Sequence, residues 1–190
     1  MDIAPFFPGR ITEVIVTTVG EGGHGHAAPM GVRRDDEGSH IAVFSPNVTA
    51  ANARRTGRLA ANFTCDPLAW VQATLDTLPQ DALERPAAWG VPVLRRAHAC
   101  VLFACTPAAG RRLELRPLDI RHDAWPVAQV NRGFNALIEA AVLASRVKLL
   151  EAGPAKARME ELGRLGLACG DQEVADAFEV LLRHFALWVV

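Results

Sequence analysis

At 190 residues, half of them hydrophobic and 22% charged, the chain fits one well-buried domain, or one domain with a small appendage, and excludes a disordered polypeptide. A formal net charge of −1 removes any global electrostatic case for nucleic acid or an acidic membrane as partner, so an anion site has to be local. The four cysteines, Cys65, Cys100, Cys105 and Cys169, form no CxxC pair and sit among apolar neighbours, which argues against a disulfide framework and against a metal site.

The N-terminus, MDIAPFFPGR, has an acid at position 2 and no basic region, unlike a signal peptide. No run approaches the ~18 apolar residues of a membrane span. A cytoplasmic address is the default expectation. Residues 11–19, ITEVIVTTV, are rich in β-branched residues and predict a strand. HAAPMGVRR returns as a second strand, and after the turn at Asp35–Gly38 SHIAVFS is a third.

Pro46 ends that strand. Thr49 is the expected N-cap of a short helix, AANARRTG, closed by Gly57. RLAANFT is a fourth strand, and Asp66-Pro67 opens the helix PLAWVQATL. Thr77 to Val93 holds three prolines and reads as a surface loop. ACVLFACT and RLELRPLDIRH form a hairpin about PAAG. After Pro126 a helical stripe runs through QVNRGFNALIEAAVLASRVKLLEAG, which Gly153-Pro154 is expected to stop. Two helices follow, AKARMEELGRLG and DQEVADAFEVLLRHFALW, the second capped by Asp171. The expected fold is mainly β with α: about six antiparallel strands closed into a small barrel over residues 1–125, with a helical subdomain over 126–190 packed on it.

One segment concentrates the polar chemistry. FSPNVTAANARRTGRLAANF, from Phe44, has no Asp or Glu, and neither does any position from Gly38 to Cys65. A helix N-terminus offers unpaired N–H groups and the positive end of the helix dipole. With Ser45, Asn47, Thr49 and Asn52 as donors and Arg54 or Arg55 as charge, it would make a phosphate cradle. A capped surface helix with solvated arginines accounts for the same residues and is the plainer reading of the spacing alone. His24-Gly-His26 reads as a flexible hairpin rather than a metal pair. The four tryptophans read as core or interface residues, and Arg132, Glu139 and Arg146 as a solvated or ion-paired helix face.

The same segment is similar to the pattern of flavin-reductase-like FMN-binding split barrels, in which a Ser/Asn-x-Thr turn leads into a short helix, TGR and an apolar strand ending in Asn. HAAPMGV resembles their strand beside the flavin ring. Within that superfamily the chain most resembles a domain-of-unknown-function family of methanogens and methylotrophs. The shared features are the strand from Glu13 to Thr18, APMGV, NFTCDPLAW at 62–70 and NRGFNALIEAAVLASRV at 131–147, which together cover nearly the whole chain. Cys65 stands where an acid is common in that family, and NRGF departs slightly from its small-residue run.

The resemblance implies a homodimeric barrel with FMN at the dimer interface. Ser45, Asn47, Thr49, Asn52 and Arg54 or Arg55 would hold the phosphate and ribityl chain. Pro29, Met30, Gly31 and Val32 would offer backbone atoms to the isoalloxazine edge, and Asn62 would reach the ribityl or ring. It implies an oxidoreductase acting on a small molecule or on a second flavin or nicotinamide, by association with one-carbon metabolism a pterin or related substrate. A non-catalytic flavin-binding or storage module is the alternative, and an interaction protein on a barrel without its cofactor is a third. No catalytic residue stands out.

Overall fold

The computed structural model of the chain describes residues 2–7, 11–35, 38–43, 47–109, 111–122 and 132–186. Phe44, Ser45 and Pro46 lie outside these, as do Trp125, Asn131 and Trp188. The chain divides into two compact units: Met1–Cys65 with Pro79–Pro126, and Asp66–Leu78 with Val127–Val190.

The first unit is a closed barrel. Its strands are β1 (Ile11–Val19), β2 (Gly25–Asp35), β3 (Gly38–Ala42), β4 (Arg58–Phe63), then, past two further short strands, β7 (Ala99–Ala108) and β8 (Arg112–His122). They are joined in the order β1-β2-β3-β8-β7-β4, every pair antiparallel, and the pairing of Ile15 with Asn62 closes the ring onto β1. The β-branched run of β1 suits this because alternate residues face inward. Val14 and Val16 enter the core with Val32, Ile41, Leu59, Val101, Phe103 and Leu113. Phe6 and Phe7, from a single 3-10 turn, complete the filling against Phe63 and Phe103, the Phe7–Phe63 ring centroids lying 5.2 Å apart.

A short helix, α1 (Val48–Thr56), lies between β3 and β4 and turns Ala50 and Ala53, both fully buried, into that core. Gly57 ends it at φ 68°, a left-handed conformation that glycine adopts without the Cβ penalty. The Cys105 thiol donates to the Ala53 carbonyl at 3.3 Å, tying β7 to the helix.

The stretch from Pro79 to His98 departs from a plain loop. It carries a 3-10 turn and the short antiparallel pair β5 (Leu83–Glu84) and β6 (Val93–Leu94), and it is strapped to the barrel wall. Gln80 pairs with Gly25 at both ends of its carboxamide: Gly25 N–H donates to Oε1 and Nε2 donates to the Gly25 carbonyl, each at 2.8 Å. Thr17 donates to the Pro92 carbonyl at 2.5 Å, and Trp89 Nε1 to Asp119 at 2.8 Å. Arg121 pairs with Glu84.

The second unit is helical: α2 (Pro67–Thr74), α3 (Arg132–Ser145), α4 (Ala152–Cys169) and α5 (Gln172–Ala186). Val71 of α2 joins Leu137, Met159, Phe178 and Leu181 in one core. Asp66 caps α2 by accepting from Leu68 and Ala69, and Asp171 caps α5 by accepting from Val174. The long helix expected up to Gly153-Pro154 is a misreading. α3 stops at Ser145, a 3-10 turn follows at Val147–Leu149, and Gly153 and Pro154 sit in the first turn of α4. Proline is tolerated there because its missing N–H would have had no helical acceptor. Among the described residues no helix is long and apolar enough to cross a membrane.

Candidate functional site

From Asn47 onward, the polar segment singled out in the sequence becomes the helix α1 and the strand β4 that follows it. Asn47, in extended conformation, is the cap of α1: its Oδ1 accepts from Ala50 N–H at 2.7 Å. Thr49 is therefore not the cap but the second helical residue. Asparagine is among the strongest caps, and its presence two positions earlier starts the helix at Val48. The first-turn amides of α1 are of the kind that no helical carbonyl can accept, and they carry the positive end of the helix dipole.

Displaced from the cap, Thr49 turns toward the β1–β2 hairpin, and Asn52 follows it one turn later on the same face. Thr49 Oγ1 lies 3.0 Å from His26 Nε2, and Asn52 Nδ2 donates to Thr18 Oγ1 at 3.2 Å. Thr18 and His26 are directly opposed across the β1–β2 ladder. Thr18, Thr49 and Asn52 are all buried. These four residues form a polar cluster where helix meets hairpin. Neither Thr18 nor His26 was legible as part of it. The available signal was the doubled threonine of VTT, whose second member alternation places on the face of Val14 and Val16.

The arginines differ in their commitments. Arg55 donates to the Val19 carbonyl and reaches Asn52 Oδ1 at 3.5 Å, so its guanidinium borders the cluster. Arg58 donates to the Trp89 carbonyl at 3.0 Å. Arg54 is exposed and makes no hydrogen bond or ion pair with any described residue. No carboxylate among the described residues pairs with any of the three.

On β2 the cross-strand partners of Pro29, Met30, Gly31 and Val32 are Ile15, Val14, Glu13 and Thr12. Val32 is buried and Met30 packs on the barrel core, while Pro29 and Gly31 alternate to the other face. Pro29 follows His26 by three residues, about 10 Å along an extended strand at ~3.3 Å per residue. Asn62 lies elsewhere. It is fully buried, donating through Nδ2 to the Ile15 carbonyl at 2.8 Å and to Thr17 Oγ1 at 3.0 Å, and accepting from Leu94 N–H at 2.8 Å. The structure thus lines up Thr49 and Asn52 along one face of α1 behind the Asn47 cap, with Arg55 of the last turn bordering Asn52, and puts Asn62 under the β5–β6 strap.

The first-turn amides of α1 and the Thr49 hydroxyl can hold an anion at the helix N-terminus, and no carboxylate among the described residues pairs with the arginines of the last turn. Burial pushes the Cys105 thiol up to about 11, far from the thiolate. Among the described residues no three His, Cys, Asp or Glu side chains come together as a metal set.

Two family profiles match in succession: the one described as "Protein of unknown function (DUF447) N-terminal domain" over residues 12–123, and the one described as "Protein of unknown function (DUF447)" over residues 131–183. Among solved structures, an FMN-bound protein of that family from Methanosarcina mazei is 28% identical and superposes with a TM-score of 0.85, covering 96% of this chain and 99% of its own. A split-barrel protein from Shewanella frigidimarina is 13% identical with a TM-score of 0.49, over 62% of this chain and 69% of its own. Flavoredoxin from Desulfovibrio vulgaris is 8% identical with a TM-score of 0.48, over 60% and 70%. With both profiles matched in order and the barrel-plus-helices fold shared end to end with a solved member, the chain belongs to the DUF447 family.

Proposed function

We propose that this chain is an FMN-binding flavoprotein, with the phosphate at the N-terminal end of α1 and the isoalloxazine ring along Pro29–Val32. The observation that carries the reading is the row of Thr49, Asn52 and Arg55 along one face of α1 in a segment without carboxylates. The likeness to an FMN-bound member of the same family supports it. The donor set fits a phosphate dianion: first-turn amides and the Thr49 hydroxyl donate, and Arg54 and Arg55 bring charge. Asn47 joins from the N-cap, and Ser45, two residues before it in sequence, is the further hydroxyl of the proposed set. Asn62 acts as an internal pin rather than as a ligand.

Bound FMN would supply the electron chemistry, and the chain would bind it, orient it and keep water from it. We take the protein to be an oxidoreductase on a small molecule, by family association one related to pterin or one-carbon chemistry, with two copies completing each flavin site. The test begins with colour and titration. Purified protein is expected to quench FMN fluorescence on binding, and Thr49→Ala with Arg54→Ala to weaken FMN affinity by more than ~1.5 kcal/mol, over tenfold. Arg54→Ala alone removes charge without breaking a hydrogen bond or ion pair to any described residue. Unchanged affinity in both variants sinks the phosphate assignment. Anaerobic reduction by NADH or NADPH, followed by turnover with an acceptor, separates an enzyme from a storage module.

A further inference from the structure

The β1–β2 hairpin brings to α1 a side chain that the flavin reading leaves unassigned. His26 stands directly opposite Thr18 across the ladder, and the two meet the helix together. Thr49 Oγ1 lies 3.0 Å from His26 Nε2, and Thr18 Oγ1 accepts from Asn52 at 3.2 Å. The β5–β6 strap holds the same end of the hairpin. Gln80 clamps Gly25, the residue before His26, Arg85 donates to the Gly23 carbonyl, and Thr17 donates to the Pro92 carbonyl. The fit is close: a Cβ built on Gly25 would lie 2.3 Å from Leu83 Cδ1. His26 is therefore fixed by the fold before any ligand arrives, as a side chain that orients another must be.

A threonine hydroxyl has one hydrogen to give and two lone pairs to fill. Thr49 is 2% exposed, so bulk water does not set the direction of that hydrogen. A lone pair on His26 Nε2 is one acceptor for it. An anion at the N-terminus of α1 is a stronger one, since a charge-assisted bond is roughly twice as strong as a neutral one. Once the hydrogen turns to the anion, an Nε2 without a proton would set lone pair against lone pair at the 3.0 Å contact. The contact holds when it runs the other way, from Nε2–H to Oγ1. One neutral tautomer of histidine and the imidazolium both carry that proton.

We propose that His26 is a positioning residue for the FMN phosphate, acting through Thr49: Nε2–H donates to Thr49 Oγ1 and leaves the threonine hydrogen for the phosphate. This rests on placing the phosphate at the N-terminal end of α1. The experiment is a double-mutant cycle on FMN affinity, read by fluorescence titration, together with imidazole 15N NMR of the FMN-loaded chain. His26→Phe keeps a flat ring without a donor and is expected to weaken FMN binding about tenfold. His26→Gln, whose carboxamide nitrogen can donate, is expected to recover most of that loss. In a Thr49→Ala background His26→Phe should cost nothing further, because the residue it acts through is gone. In the loaded chain His26 Nε2 is expected to be protonated, a reading that needs no variant to fold. Unchanged affinity in His26→Phe, additive losses in the cycle, or an unprotonated Nε2 overturns the role of His26 and leaves the phosphate site standing. Failure of the unsubstituted chain to bind FMN overturns both.

Discussion

A carboxamide brings two donor hydrogens and an acceptor oxygen with two lone pairs, and Asn62 uses both ends inside the barrel. It joins β1 through Ile15 and Thr17 and β6 through Leu94. Removing it strands the Leu94 amide in a place water does not reach, which costs the full desolvation of that group. Asn62→Ala is expected to lower unfolding stability by about 2–3 kcal/mol in urea titrations, with FMN affinity of the folded fraction unchanged. A large loss of affinity at unchanged stability would return Asn62 to the ligand set. Its position at the end of an apolar strand was visible in the sequence, but the direction of its side chain was not. Period 2 says that Asn62 and Ala61 face opposite ways and leaves open which way is in. Thr49 shows the same limit. Its identity as a polar helix-start residue was legible, yet Asn47 and Thr49 are both competent caps, and only the chain path chooses.

At the scale of elements, α4 and α5 touch closely enough that one hydrogen atom matters. A Cβ built on Gly166 would lie 1.9 Å from the Phe178 ring, and that ring is fully buried. One turn back, a Cβ on Gly163 meets nothing within 4 Å. Gly166→Ala is therefore expected to destabilise by about 1–3 kcal/mol through overpacking. Gly163→Ala should be neutral or stabilising by up to ~1 kcal/mol from helix propensity. Chemical denaturation of the two variants side by side checks this, and equal effects would contradict the close approach. Both glycines looked alike in AKARMEELGRLG, since a helical period assigns faces without saying how near the next helix comes. The strands were more legible because β-branched runs and Gly-marked turns are local signals. The break between α3 and α4 was hidden, because Leu149 and Leu150 continue an apolar pattern through residues that leave the helix.

For the whole molecule, the order of residues and the grouping of contacts disagree. Asp66–Leu78 lies within the barrel's span of sequence but belongs to the helical unit, where α2 packs against α3 and α5. A chain ending at residue 126 would keep every barrel strand and leave Val71 and Leu75 without the helices that cover them. Such a truncation is expected to bind the dye ANS and to aggregate, while the full chain does neither. A monomeric, dye-silent truncation would show that α2 does not need α3 and α5. Composition and periodicity cannot foresee this arrangement, since they carry no information about contacts sixty residues apart.

The two-ended pairing of Gln80 with Gly25 carries a consequence for how this sequence can drift. Gln80 is exposed, and exposed positions ordinarily accept most polar substitutions. Here the side chain stands in for a length of backbone, donating and accepting at once. A glutamate of the same shape keeps the acceptor but turns its second oxygen toward the Gly25 carbonyl, and a lysine keeps only a donor. The position is as narrow in what it admits as a core site, although nothing about its exposure says so.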